Sequence, residues 1–104
     1  MDKKKRKKRA KLVITIKFPV HKEIGLSGIE EIIAPMEYKF EFVWGHFNHM
    51  SGSKEDAEYI QSRLLEYREF EIENKMKQII FYYQRTTGAK ETNYEKEYEV
   101  VFED

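Results

Sequence analysis

The sequence predicts an α+β domain, a two-layer sandwich in which one main helix packs on one face of a mostly antiparallel sheet of four to five strands. Residues 11–18 and 37–47 alternate apolar and polar side chains, as half-buried strands do. Residues 54–67 repeat their apolar side chains every three to four positions, as an amphipathic helix does. Strands and a helix that are each apolar on one side bury those sides by packing on one another.

The two clearest strands lie in the first half of the chain. In 11–18, KLVITIKF, the even-numbered residues are apolar and β-branched residues are frequent, and Pro19 ends the pattern. Residues 37–47, EYKFEFVWGHF, place charged residues on one side of a strand and aromatic rings on the other. The rings on that side form an aromatic row of Tyr38, Phe40, Phe42 and Trp44.

The segment between these strands is less regular. Residues 20–28 contain Gly25, Ser27 and Gly28 and are predicted to be a loop. Residues 29–34 fit one or two helical turns with Ser27 as the N-cap, and they fit a brief strand equally well. Pro35 ends the segment in either case.

The helix over 54–67 is the best-supported element of the second half. Ser53 stands where an N-cap is expected, and Asp56 three residues later completes a pattern close to a capping box. The first turn is also acidic, which the helix dipole favours.

The remaining residues predict a C-terminal meander of two or three strands. Residues 69–73 alternate and predict a short strand with a turn at Asn74, although the helix could also run on to that residue. Residues 76–86 are apolar on both sides, as in an inner strand. Residues 87–90 predict a loop, and residues 94–102 a last strand.

Charge divides the chain into a basic arm and an acidic body. Residues 1–11 hold eight basic side chains and one acidic one, whereas the other residues hold eleven basic and eighteen acidic ones, so a net charge of zero conceals +7 against −7. Because like charges repel and the arm has almost no apolar residues, we predict a disordered arm over 1–10 and one domain over 11–104. The predicted nucleic-acid-binding residues are Lys3, Lys4, Lys5, Arg6, Lys7, Lys8, Arg9 and Lys11.

Such an arm predicts contacts with nucleic-acid phosphates, DNA or RNA, without sequence preference. Residues 3–8 also resemble a monopartite nuclear-localisation signal, which would make the arm an address and place the protein in the nucleus of a eukaryotic host. A solubilising tail and attraction to an anionic membrane are further interpretations, but position 2 is Asp and no lipidation motif supports the membrane.

Two other motifs resemble nucleic-acid proteins. Residues 40–43 resemble the aromatic strand of an RNA-recognition motif, where rings stack on bases, but Lys39 and Glu41 replace the glycines of that motif. Because charged residues alternate with the aromatic row, we expect that row to be the core face of a half-buried strand.

His46 and His49 form an H-x-x-H pair that resembles the paired-histidine replication and transposition nucleases. The resemblance implies a divalent metal, and a nucleophile from a tyrosine on a later helix. This chain offers Glu55 or Asp56 as a third metal ligand and Tyr59 or Tyr67 as the nucleophile. Those nucleases have H-x-H, however, and the spacing here puts the two imidazoles on opposite sides of a regular strand. Loop histidines without a metal are the favoured interpretation.

Several classes of protein are excluded. The chain has no cysteine for disulfides or thiolate chemistry, no apolar run long enough to span a membrane, no signal-peptide pattern and no phosphate-binding glycine loop. Its high Lys and Glu content and few Asn and Gln resemble proteins of heat-adapted organisms, and small aromatic-rich chains with basic arms resemble viral or mobile-element accessory proteins.

We therefore predict a small intracellular, cytoplasmic binding protein that is not an enzyme and needs no cofactor. The alternative is a protein-interaction module or homodimer, joined by an exposed sheet edge or aromatic patch, whose arm is only a targeting signal.

Overall fold

A computed structural model of the chain describes residues 9–24, 27–44, 51–90 and 92–103. These residues form two helices and five strands in antiparallel sheets, which confirms the α+β class. In chain order the elements are β1 (Arg9–Phe18), β2 (His21–Ile24), β3 (Glu30–Ile33), β4 (Met36–Val43), α1 (Lys54–Tyr67), α2 (Glu69–Thr87) and β5 (Glu95–Glu103).

The main sheet has the strand order β4-β1-β5, and β1 is antiparallel to both neighbours. Leu12 of β1 lies opposite Phe42 of β4 and Val100 of β5. Because directly opposed residues point to the same side of a sheet, the even-numbered residues of all three strands form one face, which is apolar apart from the exposed Lys96. The central strand is the most deeply buried, and its core residues are Ala10, Leu12, Ile14, Ile16 and Phe18.

Helix α1 covers this apolar face and has the predicted bounds. Its buried residues are Ile60 and Leu64, and it packs against β5 and β1. The predicted N-cap is also confirmed, because the Asp56 backbone N–H donates to Ser53 Oγ at 3.1 Å.

The predicted strands over 69–73 and 76–86 are wrong, because both segments belong to the single helix α2. Ile72 and Tyr83 are buried, and the Tyr83 ring stacks on Phe18 with centroids 3.9 Å apart. The five consecutive apolar residues 79–83 wrap around the helix and leave some rings exposed. Gly88 ends α2 with a left-handed φ of 77°, a conformation that other residues rarely adopt.

Strands β2 and β3 form a separate two-stranded sheet, with His21 opposite Ile33. The predicted loop over 20–28 therefore contains a strand at its start, and the alternatives left open for 29–34 resolve to a strand. Strand β4 ends at Val43, short of the predicted 47, and residues 45–47 lie outside the described part of the chain.

The start of β1 includes Arg9 and Ala10, which the sequence placed in the arm. Residues 1–8, and with them the prediction of a disordered arm, lie outside the described residues. Neither of the described helices is long and apolar enough to cross a membrane.

Candidate functional site

Two of the eight predicted phosphate-binding residues, Arg9 and Lys11, are described. Both form ion pairs with glutamates of the neighbouring strands. The strand register puts Arg9 opposite Glu103, and Arg9 Nε lies 3.1 Å from Glu103 Oε1. Lys11 Nζ lies 3.3 Å from Glu41 Oε2 and 3.5 Å from Glu103 Oε2. The hydrogen bond to Glu41, with the charge of Glu103, raises the pKa of Lys11. These two cations are therefore already neutralised by the domain, and the other six, Lys3–Lys8, lie outside the described residues.

The outer face of the main sheet, away from the helices, is more acidic than basic. Among the described residues it holds four cations, Arg9, Lys11, Lys17 and Lys39, and six glutamates, Glu37, Glu41, Glu95, Glu97, Glu99 and Glu103. Lys17 Nζ lies 3.0 Å from Glu97, which raises the pKa of the lysine, and Lys39 lies 3.8 Å from Glu37. A shallow polar depression of about 250 Å³ over Thr15 is lined by both signs of charge. The excess of two glutamates on this face disfavours contact with phosphate.

The aromatic row lies on the apolar face, beneath the helices. Tyr38 makes edge contacts with Phe18 at 5.8 Å and with Tyr82 of α2 at 6.0 Å between ring centroids. Burial raises the pKa of the Tyr38 hydroxyl. Trp44 follows β4, is 5% exposed, and its backbone N–H donates to the Ala10 carbonyl at 2.8 Å. The row thus belongs to the core, as the alternation predicted, and offers no open platform for bases.

The predicted metal pair, His46 and His49, lies outside the described residues. Among the residues that are described, no group of three or more His, Asp or Glu side chains could hold a metal. Asp56, a proposed third ligand, accepts hydrogen bonds from the Ser51 backbone N–H and hydroxyl at 3.1 and 2.8 Å. The hydroxyl contact lowers the pKa of this carboxylate. Asp56 therefore stabilises the start of α1, while Glu55 is exposed in its first turn.

The two candidate nucleophiles are likewise in structural contacts. Tyr59 packs its ring edge against Trp44, with centroids 6.0 Å apart. The Tyr67 hydroxyl accepts a hydrogen bond from Arg63, whose guanidinium also lies 4.6 Å from the centre of the Tyr67 ring. These contacts explain both tyrosines as surface packing of α1.

The hairpin of β2 and β3 carries an exposed apolar surface that the sequence did not reveal, because residues 20–28 look like a loop. Ile24 and Ile32 share one side of the hairpin and are 71% and 69% exposed. We call these two residues, with the exposed Val20 just before β2, the hairpin apolar face. The other side contacts the rest of the chain, because Glu23 Oε1 accepts a hydrogen bond from the Lys90 backbone N–H at 3.0 Å. Within the hairpin, the same oxygen lies 2.7 Å from His21 Nε2.

A second surface lies on α2. We define the α2 basic face as Lys75, Lys77, Gln78, Phe81, Tyr82 and Arg85, all of which are exposed. Residues 74–90 contain four basic side chains and no acidic one, a signal that was visible in the sequence. The helix, rather than the predicted inner strand, is what places these side chains on one exposed surface.

Comparisons with protein-family models, with curated proteins and with solved structures found no significant match.

Proposed function

We propose that the protein binds nucleic acid without sequence preference and without catalysis, and that Lys3–Lys8 contact the phosphates. The observation that carries this proposal is that the cations of one basic run differ in their acidic partners. Arg9 and Lys11 are neutralised by Glu41 and Glu103, whereas the six cations before them are accompanied in the sequence only by Asp2. Lysine and arginine bind nucleic acid by displacing the counterions of the phosphates, which requires charge but no fixed geometry.

The acidic outer face of the sheet supports a proposal in which the arm contacts phosphate and the sheet does not. That face would keep phosphates away from the sheet. Six residues reach at most about 20 Å, which is enough to follow several phosphates along a duplex that carries one charge per about 1.7 Å. On this proposal the body holds the arm and the arm makes the contact. The resemblance of residues 3–8 to a localisation signal fits an intracellular protein, cytoplasmic or, in a eukaryotic host, nuclear.

The test is fluorescence anisotropy of a labelled 20-base-pair duplex over a salt series. The full chain is compared with a variant in which all six residues 3–8 are Gln. If six cations each neutralise one phosphate, log K falls with log salt at a slope of about −5. The Gln variant loses most of that slope and of the affinity at low salt. The matched control has Arg at all six positions and keeps both.

A slope near zero for the full chain, or equal affinity of the Gln variant, would contradict the arm as the phosphate contact. So would a loss of binding in the all-Arg control, because a contact made by charge alone does not distinguish the two cations at this level.

A second candidate function is homodimerisation through the hairpin apolar face, and a specific observation favours it. Ile24 and Ile32 are more than two-thirds exposed, and leaving each in water forgoes up to about 1.5–3 kcal/mol of burial. Lys22 and Glu30 lie on the same side, so a second copy meets a face with no net charge. The hairpin apolar face begins just after the end of β1. It therefore lies about 30 Å, measured along β1, from the point where the arm joins that strand.

Sedimentation equilibrium tests this candidate. A dimer that the double variant Ile24→Lys/Ile32→Lys abolishes, and that the control Val43→Lys on the outer sheet face retains, would support it. A monomer over the whole concentration range would refute it.

A further inference from the structure

Helix α2 presents an outward side that carries cations together with amide and aromatic side chains. Its inner residues, Ile72 and Tyr83, are buried, and residues 74, 78, 81 and 85 form a row on the opposite side because they are spaced four, three and four apart. That row reads Asn, Gln, Phe, Arg, and the lysines at 75 and 77 flank it. The α2 basic face is therefore a continuous strip along two to three turns of one rigid element.

The aromatic part of the strip is open and held in place. Phe81 is 61% exposed and Tyr82 58% exposed. The Arg85 guanidinium carbon lies 5.6 Å from the centre of the Phe81 ring, which brings two planar groups together on the surface. The Tyr82 ring makes a T-shaped contact with Tyr38 of β4, which holds it against the core. Exposed rings that are pre-positioned in this way suit the stacking of another flat ring.

The cations of the strip are unpaired, in contrast to those of the sheet, although Glu71, which pairs with Arg68, borders the strip beside Lys75. On the outer sheet face each described cation pairs with a glutamate. Within the described residues, Lys75, Lys77 and Arg85 take part in no ion pair. Two copies of this strip would repel each other, which disfavours a second copy of the chain as the occupant. A polyanion with exposed planar rings matches both the charge and the aromatic surface.

We propose that the α2 basic face binds single-stranded nucleic acid by stacking a base on Phe81 and placing phosphates near Lys75, Lys77 and Arg85. Base stacking on exposed rings beside a cationic track is how proteins bind single strands without reading sequence, whereas a duplex hides the faces of its bases. The inference rests on the proposed function and extends it. The arm supplies charge to any nucleic acid, and the helix supplies a preference for single strands.

The experiment measures the affinity of the full chain for a 20-nucleotide single strand and for the matching duplex at the same salt. Phe81→Leu removes the aromatic face but keeps an exposed apolar side chain. We expect the single-strand affinity to fall by about fivefold or more, which is the low end for one lost stacking contact, and the duplex affinity to stay within twofold. Phe81→Trp restores or strengthens single-strand binding.

The matched control is Phe70→Leu on the same helix. Phe70 is 76% exposed and lies on the same side of α2, one turn before the row, but its neighbours in the first turn are Glu69 and Glu71 rather than cations. The Phe70→Leu variant should leave the single-strand and duplex affinities unchanged. Unaltered Trp44 fluorescence verifies that each variant retains its fold.

Wild-type single-strand affinity in Phe81→Leu, or an equal loss in Phe70→Leu, overturns the proposal. The Gln variant of residues 3–8 separates the two sites. A preference for single strands that survives in that variant supports the helix face independently of the arm. If that variant binds nothing and Phe81→Leu is unaffected, only the arm remains as a contact. Dimerisation lost on Phe81→Leu, without any nucleic-acid binding by the wild type, would assign the face to a second copy.

Discussion

The stack of Phe18 on Tyr83 is expected to couple helix α2 energetically to the central strand. The rings lie 3.9 Å apart with an interplanar angle of 6°, and both side chains are at most 2% exposed. Phe18→Leu and Tyr83→Leu each remove a ring from the core and are expected to destabilise the fold by about 1–3 kcal/mol. Because a buried aromatic pair contributes about 0.5–1.5 kcal/mol beyond its buried area, the double variant should lose about 1 kcal/mol less than the sum of the single variants.

Urea unfolding followed by circular dichroism at 222 nm and by Trp44 fluorescence measures all four free energies of unfolding. The control cycle combines Phe18→Leu with Phe70→Leu, which are not in contact, and should be additive within about 0.5 kcal/mol. A coupling between Phe18 and Tyr83 no larger than that of the control pair would show that the stack does not hold α2 on the sheet. The placement of the α2 basic face would then need another explanation.

Three further predictions concern the helix cap, the hairpin and the histidines. Ser53→Ala removes the side-chain acceptor at the start of α1 and should cost about 1 kcal/mol in urea unfolding, and Ser53→Asp should restore it. The pKa of Glu23 is lowered, chiefly by its contact with His21, so its stabilising effect is present above the usual Glu pKa and lost as pH falls through the lowered value. Glu23→Gln should therefore lower the melting temperature of the protein at pH 7 but not at pH 2, as measured by thermal unfolding at both pH values. His46→Ala/His49→Ala should leave binding unchanged, and Mn²⁺-dependent cleavage that this variant loses would instead support a nuclease.

The sequence predicted the elements whose patterns are regular and local. Strand β1 alternates because one side faces the core, and α1 repeats every three to four residues for the same reason. In α2 the spacing of the apolar residues did not distinguish a helix from a strand. Phe70 and Ile72 alternate with glutamates, and five apolar residues in a row carry no period. The spacing of Ile72, Met76, Ile79 and Tyr83 fits a helix, but only packing against Phe18 and the sheet selects it.

The candidate sites divide in the same way. The basic run over 3–8 and the absence of acidic residues in 74–90 can be read from the sequence, because charge is a property of the residues themselves. The ion pairs of Arg9 and Lys11 cannot, because their partner Glu103 lies at the other end of the chain and meets them only through the register of β1 and β5. The exposure of Phe81 is also a tertiary result, since it depends on which side of α2 the core takes. The α+β class, the basic run and the acidic remainder thus follow from residue patterns alone. Which cations are paired and which rings face solvent depends on how distant segments pack together.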